Sequence, residues 1–368
     1  MSPASIQDLH SFVEVIDVRS PGEFEEDHIP GAINLPVLDN SERERVGTLY
    51  KQVSSFEAKK VGAALVSRNI AHHLEYFFAS KNKVYRPLVY CWRGGSRSGA
   101  LTHILQKIGF AAVQLDGGYK AYRRHVSSEL TSLPEQLSYR VVCGTTGSGK
   151  SRLLLELEKA GAQVLDLEAL AAHRGSLLGA LPNQPQPTQK AFESAIWDAL
   201  SRFDPKQTVY VESESKKIGA LRVPDALIMA MRSSPCVRLE VPLDTRVNLL
   251  IEDYAHFLNG SDTINEQLAH LVQLRGHEMV SAWQEMARQH AWDQLVAALL
   301  EEHYDPAYLR SLMKNYAPSP NDLEFKTTDL TPASLQRLAH TIMQANEQAW
   351  INLPGYKAND DAGDDRSR

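Results

Sequence analysis

The sequence predicts an α/β protein of two domains, each built on a mostly parallel sheet with helices. Three observations support this class. The chain has 368 residues, which is long for one domain and typical of two. Short strands rich in Val and Ile alternate with helical segments, a pattern that favours parallel sheets. Two glycine-rich turns each follow a predicted strand, at the sheet edge where such proteins bind ligands.

The first third of the chain has the alternating pattern. Strands are expected at 12–18, immediately after Pro30-Gly31, at 87–90 and at 113–115, with helices over 46–77 and 98–109. The polar stretch 127–136 is the expected domain boundary, so we assign 1–130 to the first domain and 131–356 to the second. The last residues, 357–368, are polar and acidic without an apolar anchor, which predicts a disordered tail.

The second domain begins with another strand, expected at 139–143, followed by a helix over 150–160. Further strands are expected at 163–165, 208–211 and 236–241, and three prolines predict an irregular loop at 181–188. From Leu243 onward the pattern predicts mainly helices, so the second domain should have a helical C-terminal part.

The composition of the chain indicates what kind of protein it is and in which cellular compartment we expect it. Hydrophobic residues make up 43% and charged residues 23%, as in ordinary globular proteins. No apolar run is long enough for a membrane helix, and the first ten residues lack the pattern of a secretory signal. Three cysteines do not form a disulfide framework, which favours the reducing cytoplasm. The net charge of −6 gives no general attraction to nucleic acid, although a local basic patch could still bind it.

The first glycine-rich turn begins with a thiol. Cys91 ends a predicted strand and is followed by Arg93, Gly94, Gly95, Ser96 and Arg97. Converging backbone amides, the next helix N-terminus and two arginines favour an anion and lower a thiol pKa. We therefore predict that Cys91 is a catalytic thiolate and that the following residues bind an anion.

This half of the chain resembles the rhodanese family. The resemblance lies in Asp17-Val18-Arg19-Ser20-Pro21-Gly22-Glu23-Phe24, in His28-Ile29-Pro30-Gly31-Ala32 and in Leu115-Asp116-Gly117-Gly118-Tyr119. Five residues separate Cys91 from Arg97, one more than sulfurtransferase rhodaneses usually have. That wider ring resembles the dual-specificity phosphatases and would admit a tetrahedral, phosphate-type anion.

The second turn matches the phosphate-binding pattern G-x-x-x-x-G-K-[ST] in full and lies between a predicted strand and a predicted helix. Lys150 would neutralise a phosphate, and the Ser151 hydroxyl would bind Mg²⁺ or hydrogen-bond the phosphate. The expected phosphate or diphosphate site comprises Gly144, Gly147, Ser148, Gly149, Lys150 and Ser151.

Four acidic residues follow strands beside this loop: Asp166, Glu168, Glu212 and Glu214. An ordinary NTPase has an aspartate at such a strand end for Mg²⁺. Glu212 and Glu214 could instead serve the metal, act as a base, or pair with Lys216 and Lys217. Four residues are candidate contacts to an anion or to a nucleic acid: His173, Arg174, Lys216 and Lys217.

The two motifs joined in one chain resemble the tRNA 2-selenouridine synthase family, a rhodanese-like domain fused to a P-loop domain. Three further segments carry the resemblance: Asp166-Leu167-Glu168 with His173-Arg174-Gly175-Ser176, Gln186-Pro187-Thr188-Gln189 with Phe192-Glu193, and Glu212-Ser213-Glu214. The resemblance implies a transferase that replaces sulfur by selenium at C2 of the wobble 2-thiouridine of tRNA. It implies selenophosphate and geranyl diphosphate as co-substrates and S-geranyl-2-thiouridine as intermediate.

The resemblance also implies roles and partners. Cys91 would handle selenium, including as a transient selenenylsulfide. The segment from Arg93 to Arg97 would bind selenophosphate. The second loop would bind geranyl diphosphate, with Mg²⁺ as an optional ligand. The tRNA anticodon loop and the enzyme that produces selenophosphate are the expected partners. Three other functions remain open: a rhodanese-type sulfurtransferase, an ATP-dependent kinase with a rhodanese-like module, and a phosphatase using the Cys91 ring.

Overall fold

A computed structural model describes residues 2–176, 179, 181, 184–255 and 261–351. The predicted acidic tail, 357–368, lies outside these residues. The chain forms two compact units. The first contains the described residues of Met1–Leu133 and also Pro185–Arg202, and the second contains those of Pro134–Gln184 and Phe203–Arg368. The segment Pro185–Arg202 therefore belongs to the first unit, although it lies within the second domain's expected sequence range.

The sheet of the first unit contains the four predicted strands. They are β1 (Glu14–Asp17), β2 (Ile33–Asn34), β3 (Pro87–Tyr90) and β4 (Val113–Gln114). They pair in the order β2-β1-β3-β4 and all run parallel. Every residue of β3 is buried, so this strand appears in the sequence as a continuous apolar run. The predicted parallel sheet is confirmed.

Five helices accompany these strands: α1 (Pro21–Glu26), α2 (Asn40–Gln52), α3 (Ser55–Tyr76), α4 (Ser96–Ile108) and α5 (Gly118–Ser132). Short 3₁₀ turns occupy Ile6–Ser11, Phe78–Ser80 and Leu133–Gln136. The helical segment expected over 46–77 is present as two helices, α2 and α3. Ser54 is extended and its hydroxyl accepts the Glu57 N–H, which caps α3 and separates it from α2.

The sheet of the second unit has five parallel strands in the order β11-β10-β5-β7-β6. The strands are β5 (Ser138–Cys143), β6 (Gln163–Leu165), β7 (Thr208–Glu212), β10 (Cys236–Glu240) and β11 (Leu323–Lys326), and a hairpin adds β8 (Lys217–Ile218) and β9 (Leu221–Arg222). The sequence predicted the first four strands of the sheet but not β11, which is partly exposed and lies at the edge beside β10.

Helices surround this second sheet and continue the chain. They are α6 (Lys150–Lys159), α7 (Leu167–Leu170), α9 (Asp225–Arg232), α10 (Leu243–Asp253), α11 (Ser261–Ala269), α12 (Val272–Arg275), α13 (His277–Arg288), α14 (Trp292–Ala298), a π-helical turn (Leu299–Tyr304), α15 (Asp305–Asn315) and α16 (Pro332–Ile351). The expected helical C-terminal part is confirmed. None of the described helices has the length and hydropathy needed to cross a membrane.

Helix α8 (Gln189–Arg202) lies between α7 and β7 in the sequence, but it belongs to the first unit and packs against α5. Trp197 is buried, and its ring stands edge-on to Tyr122 with 5.6 Å between ring centroids. Arg123 forms an ion pair with Glu193 at 2.5 Å. The first unit thus includes a helix that begins about sixty residues after the end of α5 in the sequence.

Candidate active sites

Cys91 directly follows β3 and is buried. The turn after it is tied to the start of α5 by backbone hydrogen bonds. The Tyr119 N–H donates to the Cys91 carbonyl at 2.8 Å, and the Lys120 N–H donates to the Trp92 carbonyl at 3.0 Å. Helix α4 begins at Ser96, so its positive end also faces the turn. The strand, the turn and two helices therefore hold the thiol in place.

Two glycines allow the turn and α5 to approach closely. Gly94 has φ +65° and Gly118 has φ +54°, a region that favours glycine. A Cβ at Gly94 would lie 2.7 Å from the Leu115 carbonyl oxygen, and one at Gly118 would lie 2.5 Å from the Gly94 nitrogen and even closer to the Cys91 carbonyl. Gly95 differs, because a Cβ there would meet nothing within 4 Å.

The Cys91 sulfur accepts a hydrogen bond from the Ser98 hydroxyl at 3.2 Å. Ser98 is buried, and its oxygen accepts the Gln114 side-chain amide at 2.8 Å. Burial raises the pKa of the Cys91 thiol, but the Ser98 hydroxyl, the amides of Ser98 and Arg93 and the Arg97 charge together outweigh burial. The net pKa of Cys91 lies below its ordinary value, which favours the thiolate. Ser98 and Gln114 lie outside the anion-binding segment that the sequence predicted, Arg93 to Arg97.

The two arginines of the turn differ in their surroundings. Arg97 forms a bidentate ion pair with Glu23, with N–O distances of 2.7 and 3.2 Å. Glu23 also accepts the Ser20 amide at the start of α1, so Arg97 is held from outside the turn while its charge still acts on Cys91. Arg93, in contrast, is exposed, as are Gly95 and Ser96. Arg93 is therefore the arginine of this turn that faces solvent.

The phosphate-binding loop connects β5 to α6. Gly147 has φ +80° and Gly149 has φ +78°, and α6 begins at Lys150, so the first amides of this helix are available to an anion. The Lys150 ammonium donates to the Gly144 carbonyl at 2.7 Å and lies 5.3 Å from the centre of the Tyr308 ring. The Ser148 hydroxyl is buried and has no hydrogen-bond partner within the described parts of the chain. This geometry suits a phosphate group.

Helix α10 supports the loop from one side. The Arg246 guanidinium donates to the Thr146 carbonyl at 3.1 Å and to both oxygens of Asp305 at 2.8 Å. One turn later, Leu250 lies so close that a Cβ on Gly147 would meet its side chain at 3.0 Å. No local pattern in the sequence identifies Arg246 or Tyr308, because they lie about 100 and 160 residues from the loop.

Three of the four predicted carboxylates meet beside this loop. Glu168 accepts the Ser151 hydroxyl at 3.2 Å, and the Glu168 N–H donates to Glu212 at 2.8 Å. Burial, followed by the charge of Glu168, raises the pKa of Glu214 to about 8. Burial and the neighbouring carboxylates raise the pKa of Glu212 well above its ordinary value, and burial also raises the pKa of Glu168. These groups hold protons at neutral pH more readily than exposed carboxyls do.

Asp166, the fourth carboxylate, caps α7 by accepting the Ala169 N–H at 2.8 Å. Burial raises its pKa. Its observed hydrogen bond is therefore a structural one, although the charge of Asp166 contributes to the raised pKa of Glu212.

The four basic residues predicted to contact an anion or tRNA differ in their burial and in their partners. His173 is buried, its Nδ1 accepts the Gly175 N–H at 3.1 Å, and burial lowers its pKa. Arg174 donates to the Asp253 carbonyl and lies over the Tyr254 ring. Lys216 and Lys217 are exposed, and Lys216 pairs with Asp225 at 2.9 Å rather than with the glutamates. Of the four, the two lysines are open to solvent.

No cluster of three or more His, Cys, Asp or Glu side chains in the described residues could hold a metal ion. Mg²⁺ commonly takes only one or two protein ligands and the rest from phosphates and water. Ser151 and Glu168, which lie together, are the residues that would hold Mg²⁺ with a diphosphate.

Two family models match consecutive parts of the chain. Residues 3–125 match a family described as rhodanese-like domain, and residues 137–274 match one described as tRNA 2-selenouridine synthase AAA domain. A protein of Hydrogenovibrio crunogenus named tRNA 2-selenouridine synthase is 33% identical over 329 residues, covering 82% of this chain and 90% of that protein. The chain belongs to the tRNA 2-selenouridine synthase family.

Other members of the family match over a shorter range. The proteins of that name from Nitrosomonas europaea and Sulfurovum sp. are 38% and 37% identical, each over 65% of this chain. These matches span 63% and 65% of the relatives' own lengths, somewhat less than two thirds. Among solved structures, a rhodanese-related protein from Thermoplasma volcanium is 19% identical with a TM-score of 0.23, covering 34% of this chain and 93% of that one.

Proposed function

We propose that this protein converts the wobble 2-thiouridine of tRNA to 2-selenouridine through an S-geranyl intermediate, using geranyl diphosphate and selenophosphate. The observation that carries the proposal is the 329-residue match to the Hydrogenovibrio crunogenus synthase, because it runs through both units. A sulfurtransferase would need only the first unit, and a kinase only the second. The reaction would take place in the cytoplasm, where tRNA is modified.

The thiol turn supports the selenium step. The Cys91 thiol has a lowered pKa and is therefore a better nucleophile at neutral pH than an ordinary cysteine. We assign selenophosphate to the turn from Arg93 to Arg97, with Cys91 handling the selenium. Exposed Arg93 would bind the incoming anion, while Arg97, held by Glu23, contributes fixed positive charge.

The phosphate-binding loop supports the geranyl step. The thiocarbonyl sulfur of the nucleobase would attack C1 of the geranyl group, and the C1–O bond would break so that diphosphate leaves with the bonding electrons. Lys150 and the first amides of α6 would stabilise the negative charge on this leaving group. The selenium of selenophosphate would then attack C2 of the alkylated base, and the C2–S bond would break so that geranyl thiolate leaves and takes a proton from water. Water would cleave the P–Se bond, which releases phosphate and leaves the selenium on C2.

The exposed Lys216 and Lys217 are the candidate contacts to the tRNA backbone, since lysines bind phosphates without reading sequence. The anticodon loop is single-stranded, so its bases can turn outward toward a protein site. The enzyme that makes selenophosphate is a candidate partner, because direct transfer would protect this labile compound.

The test uses a strain whose only copy of the gene encodes a variant, with tRNA nucleosides analysed by mass spectrometry. We expect Cys91→Ser to abolish selenouridine while S-geranyl-2-thiouridine persists. We expect Lys150→Ala to abolish both, with geranyl diphosphate binding weakened at least about tenfold through loss of a charged contact.

Two matched variants serve as controls. Cys236→Ser changes a free cysteine of the second unit, and Lys159→Ala changes an exposed lysine at the other end of α6; both should leave the nucleosides at wild-type levels. Normal selenouridine in Cys91→Ser would remove this residue from the chemistry. Loss of ATP hydrolysis alone in Lys150→Ala would favour a kinase instead.

A further inference from the structure

The second unit contains an apolar cavity that adjoins the phosphate-binding loop. It holds about 620 Å³ of empty space, including its open mouth. Its walls come from α10, α11, α14 and the π-helical turn, and Thr146 of the loop forms part of the lining. Apart from hydroxyl groups and the indole N–H of Trp292, the lining side chains are apolar, and none carries a charge.

The cavity and the loop share a wall. On α10, Arg246 binds the Thr146 carbonyl and Leu250 packs against Gly147. Leu250 also lines the cavity, together with Ile251 of the same helix and Tyr254, which directly follows it. One helix thus contacts both the phosphate-binding backbone and the apolar space within the same unit.

Another part of the cavity wall is an unusual helical turn. The chain from Leu299 to Tyr304 is wound as a π-helix, a rare conformation that is frequent at functional sites. Leu299, Leu300 and Tyr304 of this turn all line the cavity. Their positions would differ if the turn were an ordinary α-helix, so the winding itself shapes the space.

We infer that this cavity binds the hydrocarbon tail of an isoprenoid diphosphate whose head group occupies the phosphate-binding loop. The inference rests on the proposed function and identifies the part of the chain that selects the tail. A nucleotide would instead bring a polar, hydrogen-bonding base and ribose, for which this lining offers few partners. A purely apolar tail gains from leaving water and requires no such partners.

The inference is tested by measuring affinities of the full chain, by calorimetry, for inorganic diphosphate, dimethylallyl diphosphate and geranyl diphosphate. Each added isoprene unit should tighten binding, with geranyl diphosphate at least about a hundredfold tighter than inorganic diphosphate. Val296→Trp fills the cavity from a half-buried position on α14. This variant should bind geranyl diphosphate at least about tenfold more weakly than the wild type and should bind inorganic diphosphate with unchanged affinity.

Met229→Trp, at an exposed position of α9 outside the lining, is the matched control and should bind all three ligands like the wild type. Val296→Ala, which enlarges the space, should shift preference toward the longer farnesyl diphosphate and provides a second test if the tryptophan variant does not fold. Geranyl diphosphate that binds no more tightly than inorganic diphosphate would overturn the inference. If wild-type protein binds none of the diphosphates, the proposed function fails as well.

Discussion

The reactivity of Cys91 depends on neighbours that the motif around it does not identify. Burial alone would raise the pKa of the thiol, yet hydrogen bonds and charge reverse the direction. The Ser98 hydroxyl is the largest of the opposing contributions, and Gln114 holds that hydroxyl in place. The thiolate is therefore stabilised by a short chain of side chains from α4 and β4.

Removing this donor should make the thiol less acidic. In Ser98→Ala the pKa of Cys91 should rise, because a hydrogen bond to the charged form is lost. The thiolate fraction at pH 7 should fall, and the pH profile of iodoacetamide alkylation at Cys91, followed by mass spectrometry, should shift toward higher pH.

Ser96→Ala provides the control, since Ser96 is exposed and lies at the first position of the same helix. Its alkylation profile should coincide with that of the wild type. An unchanged profile in Ser98→Ala would show that the hydroxyl does not stabilise the thiolate.

The carboxylates of the second unit show how neighbours decide among alternatives. Three roles were open for Glu212 and Glu214: metal binding, acid–base chemistry and pairing with lysines. Lys216 pairs with Asp225, whereas the pKa of Glu214 is raised to about 8 by burial and by Glu168. The pairing of Lys216 with Asp225 leaves metal binding and acid–base chemistry as the two predicted roles of Glu212 and Glu214.

At the level of elements, the thiol turn and the start of α5 form one interlocked structure. Two backbone amides at the start of α5 donate to carbonyls of the turn, and glycines at the crossing let the backbones approach. The rhodanese-like pattern at Gly117-Gly118 thus has a structural cause, because α5 begins where it must pass the Cys91 turn.

A side chain at this crossing should therefore destabilise the first unit. In Gly118→Ala the new Cβ would press against the backbone of Cys91 and Gly94, and φ is +54°. We expect the free energy of unfolding to fall by at least about 2 kcal/mol, measured by urea denaturation.

Gly95→Ala is the matched change within the same turn. Its Cβ would meet nothing within 4 Å, so the free energy of unfolding should fall by less than about 0.5 kcal/mol. Equal losses in the two variants would mean that the close approach at Gly118 does not limit stability.

The chain as a whole does not divide at one point. Helix α8 returns to the first unit and packs against α5 through Trp197, so residues before the boundary at 127–136 do not complete that unit. The sequence domains predicted from composition are contiguous, whereas the first compact unit is not.

This organisation predicts a selective effect of one substitution. Trp197→Ala should remove a buried ring and destabilise the first unit by about 3–5 kcal/mol. Hydrogen exchange measured by mass spectrometry should show faster exchange in the first sheet, β1 to β4, while the second sheet keeps its protection.

Trp283→Ala should have the opposite pattern, because Trp283 is buried in the helical cluster of the second unit. Faster exchange across β5 to β7 in Trp197→Ala, with β1 to β4 unaffected, would contradict the assignment of α8 to the first unit.

Several elements were predictable because local chemistry determines them. Strands β3, β5, β7 and β10 are largely buried, which leaves apolar runs in the sequence. The strand, loop and helix around Lys150 were predictable because the glycine-rich motif of the loop is a local sequence pattern. In contrast, α8, β11 and the β8–β9 hairpin were not predicted, since α8 and β11 depend on distant partners and the hairpin strands have only two residues each.

The sequence by itself determined the two parallel sheets, the position of the thiol at a strand end and the phosphate-binding loop, because each depends on residues adjacent in the chain. Only the tertiary structure decided which side chains complete these sites. Gln114, Glu23, Arg246 and Tyr308 reach them across 20 to 164 residues of chain, and the apolar cavity is assembled from separate helices. Hydrogen bonds and apolar contacts act over a few ångströms of space, so the fold, not chain order, brings such partners together.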